Sequence, residues 1–354
     1  MAGTARTDAG VAVTMEDHPN GTALVIDSEG GRAGRSVVAE GLRITGRDRR
    51  PVFASAALAV AAASVVGGGI VAAGFAASWG LFLEARRSAE SSIDYEESYV
   101  AYIDQWDGLV KVAFCVYPLL LLVAVALLAW LLTAQAVTVA HARERDAAGA
   151  PPGAGPGTLT LRALWRRSRP HLGAAFRVQW LTLVCALVPA LAGLLVLAAV
   201  AEEWVPGVVW PTYHDPATVP FVLVGRVLPV VIWGLGLVLL ARFAPATAVR
   251  VADHCSATAA MRRSWALTRT ARPRTTGICL LAAAVIAVAV VVLKWLGGYV
   301  AHGAGLLMLA TTDDNVWVTG VLVTITPVAV ALVFLPVVLA PVGVVFACLR
   351  ARLA

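Results

Sequence analysis

The chain has 354 residues, 59% of them hydrophobic and 14% charged, with a formal net charge of +6. Soluble globular domains carry about 25% charged residues, so this composition argues against a soluble domain if the apolar residues gather into spans. They do, and nothing in the chain has the pattern of a nucleic-acid-binding module.

Runs nearly free of charge recur at 52–83, 112–140, 178–200, 227–240, 278–293 and 316–349. A helix needs about 20 apolar residues to cross a hydrocarbon core of about 30 Å. Four runs reach that length outright, and those at 227 and 278 reach it by continuing past one charge, over 241–249 and 295–301. The expected fold is all-α with six transmembrane helices. The chain divides into a flexible cytoplasmic tail over 1–35 and a six-span membrane domain over 36–350. The first 50 residues are polar and offer no short apolar segment of a cleavable signal, so the first span is expected to be an uncleaved anchor.

In chain order, the tail holds two short apolar segments around His18-Pro19-Asn20-Gly21, a sequence that suits a hairpin turn. Within the first span, Ser64, Gly68, Ala72 and Ala76 recur at i+4 spacing, continued by Gly80. A ridge of small residues lets another helix approach closely, either a membrane-protein partner or a second copy of this chain. The next loop places Ser91 and Asp94 as a capping box. Tyr95, Tyr99, Tyr102 and Trp106 follow at helical spacing, which predicts one helix with an aromatic face at headgroup level. A Pro/Gly-rich stretch over 147–157 reads as a flexible linker. Pro118, Pro189, Pro327 and Pro336 fall inside spans and predict kinks or broken helices.

Charge gives the orientation. Arginines crowd the segment before the first span (Arg43, Arg47, Arg49, Arg50), the second-to-third connection (Arg143 to Arg177), the fourth-to-fifth (Arg242 to Arg274) and the tail (Arg350, Arg352). The alternate loops are acidic, with Glu84 to Asp107, Glu202, Glu203, Asp215, Asp313 and Asp314. Basic flanks stay in the cytoplasm, so both termini are expected there, in a cell membrane whose anionic lipids face the arginines. Only Lys111 and Lys294 are lysines; with the abundance of Ala, Val and Gly, that arginine preference points to a GC-rich bacterial genome.

The stretches GLRITGRDRRP (41–51), LRALWRRSRP (161–170) and SWALTRTARP (264–273) each run from apolar residues through arginines to a proline before an outward-going span. Leu161, Leu164, Trp165 and Leu172 share one predicted helical face, as do Ala257, Met261, Trp265 and Thr268. The expected unit is an interfacial helix followed by a two-span hairpin, repeated over about 36–140, 158–250 and 254–350.

RRSWALTR (262–269), preceded by a small-residue stretch over 246–260, resembles the cytoplasmic motif of the glycerophosphoryl diester phosphodiesterase membrane-domain family and related bacterial multi-pass proteins. The resemblance covers about 132 to the C-terminus and implies a membrane fold. In that family the membrane region can be joined to a soluble phosphodiesterase domain, for which this chain has no room.

Reaction signatures are incomplete. There is no HExxH, Gly-x-Ser-x-Gly, phosphate-binding loop or Gly-x-Gly-x-x-Gly, and no CxxC pair among five cysteines. No catalytic residue, cofactor or metal site is expected. Lys111, Arg226 and Lys294 sit toward the outer ends of spans, where they either snorkel to the headgroups or gather with Asp104, Asp107, Glu202 and Asp313 as an outer polar cluster. The leading expectation is a non-enzymatic scaffold or accessory subunit of an envelope or lipid-related system. Alternatives are a transporter or exporter of an amphiphilic molecule and a membrane-embedded lipid-modifying enzyme.

Overall fold

A computed structural model describes residues 29–94, 102–148, 159–208, 218–270, 272–312 and 314–353. These are helical and contain no strand. Among them are six helices long and apolar enough to cross a membrane: Arg49–Ser92, Trp106–Ala147, Leu161–Ala201, Val219–Asp253, Thr275–Thr311 and Val316–Leu353, hereafter spans 1 to 6. The chain is thus a multi-pass membrane protein. Each span has 35–44 residues, about 50–65 Å at about 1.5 Å per residue, so its ends project well beyond a core of about 30 Å.

Spans 1 and 2, 3 and 4, and 5 and 6 pack as hairpins. Span 2 also packs against spans 3 and 6, and span 6 against the start of span 1. A separate helix, Glu29–Arg47, lies on span 6. Gly41 makes that approach possible, because a Cβ there would stand 2.7 Å from Val345 Cγ2. Burial is uneven along the spans. The main core joins Val52, Ala56, Ala134, Leu131, Val344 and Cys348, all toward the arginine-rich end. Toward the acidic end, Phe114, Tyr117, Leu195, Val230 and Leu307 are exposed, as lipid-facing residues are.

Polar contacts cross this core and its neighbour. Gln135 of span 2 is fully buried and donates from Nε2 to Ser55 Oγ of span 1 at 2.9 Å. Gln179 of span 3 donates to Thr247 Oγ1 of span 4 at 2.6 Å. A Cβ at Gly343 would come within 3.1 Å of Gln135 Cγ and Leu132 Cδ2, so span 6 reaches span 2 there with no side chain to spare.

Several expectations require correction. The stretch around Trp165 is no separate interfacial helix but the first part of span 3, which runs unbroken from Leu161. The Thr160 side chain caps it, accepting from the Ala163 N–H at 3.3 Å. Leu164, Ser168, Ala175, Val178 and Thr182 are all buried, so one packed stripe continues through Pro170 and holds the helix together. The third such stretch does form its own helix, Ala257–Thr270, set off by His254 at φ 49°.

Each predicted face is split, with Leu164 and Thr268 fully buried and the tryptophans left out. Ser168, Ser264, Thr268 and Ala260 go in, whereas Trp165 and Trp265 stay 47% and 41% exposed. Close helix approach selects the small residues. The tryptophans stay at the rim.

The prolines do not break their helices. Pro118, Pro189, Pro327 and Pro336 lie inside continuous helices, as does Pro341. The irregular turns are instead π-helical, at Ala63–Gly67 in span 1 and Val222–Val227 in span 4, with a further break at Ala244 and Pro245. No proline falls in either π turn.

Ser91 is not a cap but lies in the last turns of a helix ending at Asp94, its hydroxyl donating to the Ser88 carbonyl at 2.9 Å. The predicted aromatic helix is interrupted, because 102–105 form a turn with Tyr102 at φ 65°. Tyr95 and Tyr99 lie outside the described residues, as do the expected hairpin, most of the tail and the Pro/Gly linker.

Candidate functional site

Lys111, Arg226, Lys294, Asp104, Asp107 and Glu202 are all exposed. No ion pair or hydrogen bond joins any two of them. Arg226 instead lies over its own neighbour, 5.7 Å from the Phe221 ring centroid. Lys294 precedes the Trp295–Tyr299 pair, whose rings meet edge-on at 5.0 Å. Asp313 lies outside the described residues. Among the described residues no group of three or more His, Cys, Asp or Glu could hold a metal ion.

The acidic end is organised by aromatic contacts. The Tyr102 hydroxyl donates to the Trp317 carbonyl, and its ring meets Trp317 at 5.9 Å and Phe82 at 6.3 Å, both edge-on. Asn315 caps span 6, its Oδ1 accepting from the N–H groups of Trp317 and Val318 at 3.2 and 3.3 Å.

The arginine-rich end is built of ion pairs. Glu40 of the 29–47 helix accepts from Arg143 of span 2 at 2.9 Å and from Arg352 of span 6 at 3.2 Å. Asp48 takes both its hydrogen bonds from Arg145 at 3.2 Å. Asp146 pairs with Arg47 at 2.6 Å and Arg43 at 3.8 Å. Glu144 pairs with Arg167 at 3.8 Å. Asp253, ending span 4, holds Arg350 of span 6 and, at 3.1 Å, Arg263 of the 257–270 helix.

These five carboxylates thus brace the two extra helices and spans 2, 3, 4 and 6. The 257–270 helix is further tied to span 4: Ser264 Oγ donates to the Arg242 carbonyl at 2.7 Å, and the Arg242 guanidinium lies 5.7 Å from the Trp265 ring centroid.

Sequence reasoning passed over all five acids, because orientation is read from arginines alone. The available signal was their isolation: each stands inside an arginine-rich segment, where a carboxylate has cations for neighbours. The structure also leaves a surplus. Arg162, Arg166, Arg169 and Arg177 on span 3 are exposed and form no ion pair among the described residues.

Chemically, this end is a braced, cationic surface suited to anionic groups. Comparison with protein-family models, curated proteins and solved structures gives no match.

Proposed function

We propose that the chain is a non-enzymatic scaffold or accessory subunit of an envelope or lipid-related system in a bacterial cell membrane. Both termini are cytoplasmic, and the surplus arginines face anionic lipid. The observation that carries this reading is the arginine-rich end, where five carboxylates cross-link six helical elements. Such bracing suits a body that holds partners in place. Ser64, Gly68, Ala72 and Ala76 are exposed on span 1, which supports a helical partner or a second copy docking there. The likeness of 262–269 to the glycerophosphoryl diester phosphodiesterase membrane-domain family supports a lipid-related setting.

The test is reconstitution. Purified protein in vesicles is expected to move fluorescent phospholipid across the bilayer no faster than empty vesicles do. A disulfide-trapped adduct through Ala72→Cys is expected in native membranes. Phospholipid movement well above the empty-vesicle rate, with no adduct, would overturn the scaffold reading.

A second reading, export of an amphiphilic molecule, draws on the π turns in spans 1 and 4 and on the exposed Arg226. It expects transport that Arg226→Gln abolishes at normal abundance; transport unaffected by that change would count against it.

A further inference from the structure

The short helix Ala246–Asp253 ends span 4 and packs against spans 2, 3 and 6 and the 257–270 helix. On it Arg250 stands between the buried Val249 and Val251. Nε and Nη1 of its guanidinium are buried and hydrogen-bond to nothing among the described residues. Arg143, Arg145 and Arg350 also have a buried Nε without a partner, but each pairs with a carboxylate through Nη2. Arg250 has no such pair among the described residues. The acid on its own helix, Asp253, is taken up by Arg350 and Arg263.

Two imidazoles share the surroundings of Arg250. His254 follows the helix at φ 49°, a left-handed turn that histidine adopts more readily than most residues. Its ring lies 5.2 Å, centroid to centroid, from that of His171 on span 3. The charges of Arg250 and His254 both act on His171. Two residues after His254, Ser256 caps the 257–270 helix, its hydroxyl accepting from the Ala259 N–H at 3.3 Å, so the positive end of that helix opens close by in the chain.

A buried guanidinium without a counter-charge is costly. Imidazoles do not relieve the cost, because each is neutral or positive. We infer that Arg250, His171 and His254 form a binding site for a phosphoryl group, carried by a lipid headgroup or by free phosphate. The donor set selects this class. A guanidinium fork matches a carboxylate or a phosphate. A carboxylate has two oxygens, which the fork satisfies alone. A phosphoryl group has three acceptor oxygens and takes the imidazole N–H donors as well. The site goes beyond the scaffold reading and stands without it.

The test uses the full chain in two forms. In neutral detergent it is titrated with inorganic phosphate by calorimetry. Extracted from vesicles of equal phosphatidylcholine and phosphatidic acid, its retained lipid is counted by native mass spectrometry. Wild type is expected to bind one phosphoryl group per chain: free phosphate if the source is soluble, phosphatidic acid alone if the source is the membrane. Arg250→Met is expected to weaken that binding at least about ten-fold, yet to unfold no earlier than wild type, since it removes an unpaired buried charge. His171→Leu is expected to weaken binding about two- to ten-fold. His254→Gly, which keeps the left-handed turn at an exposed position, is expected to do the same and carries the test should Arg250→Met not fold. Arg262→Gln, an exposed site on the neighbouring helix, is expected to bind as wild type does.

No phosphoryl group bound in either form would overturn the site. So would binding that the folded Arg250 and His254 variants leave unchanged. A loss as large in Arg262→Gln would reduce the effect to net charge and overturn it too. Acetate or oleate competing as well as phosphate or phosphatidic acid would overturn the phosphoryl assignment.

Discussion

Replacing Glu40 with Gln removes a carboxylate that joins Arg143 and Arg352, at 2.9 and 3.2 Å. The Glu40 side chain is 17% exposed and its partners 36% and 44%, so the site is neither dry nor free in water. A fully exposed pair contributes about 0–1 kcal/mol, and a hydrogen bond to a charged group about 1.5–3 kcal/mol. Glu40→Gln leaves two guanidinium groups facing an amide, with Arg143 retaining its bond to the Ala351 carbonyl at 3.3 Å. Two half-buried charged contacts discounted for solvent give about 2–3 kcal/mol.

Cys348 reads this out, because it is fully buried in the same core as Val37 of the 29–47 helix, whereas Cys115 is exposed. If local opening controls labelling, 2 kcal/mol raises the Cys348 rate roughly 30-fold, and Cys115 is unchanged. The double variant Glu40→Gln/Arg143→Gln should cost less than the sum of the singles, by about 1 kcal/mol. Labelling within two-fold of wild type, or strict additivity, would refute the idea that Glu40 clasps the helix to the bundle.

Gly343→Leu is expected to destabilise by about 1–3 kcal/mol through overpacking, since even a Cβ would stand 3.1 Å from Gln135 and Leu132; thermal unfolding in micelles measures it. Gln135→Leu, by contrast, should change stability by less than about 1 kcal/mol. Its Oε1 has no partner, and Ser55 keeps its bond to the Val52 carbonyl at 2.7 Å; a large loss would show that the amide organises the core. Tyr102→Phe removes the bond to the Trp317 carbonyl but keeps the ring contacts, so a loss of about 1 kcal/mol should appear as a lower unfolding midpoint. For orientation, a membrane-impermeant thiol reagent on intact cells should label Asp107→Cys and spare Arg166→Cys, both exposed positions; the reverse pattern would invert the topology.

The sequence alone determined the spans and which loops share an end. Both follow from local rules. A helix in hydrocarbon must be apolar residue by residue for about 30 Å, and topology follows the arginines flanking each span.

Tertiary structure decided the rest. Glu40 meets Arg143 and Arg352 across 103 and 312 residues of chain, separations over which no local pattern selects a partner. Whether the Trp165 stretch forms its own helix or joins span 3 depends on Leu164 entering a core shared with spans 1, 2 and 6. In sequence, the spacing sets Trp165 and Trp265 on the apolar face of each stretch and leaves out Ser168 and Ser264, each following an Arg-Arg pair, yet it is the serines that are fully buried. Packing reverses that order, because backbones come close only where side chains are small, and which surfaces come close is settled only when all six spans assemble.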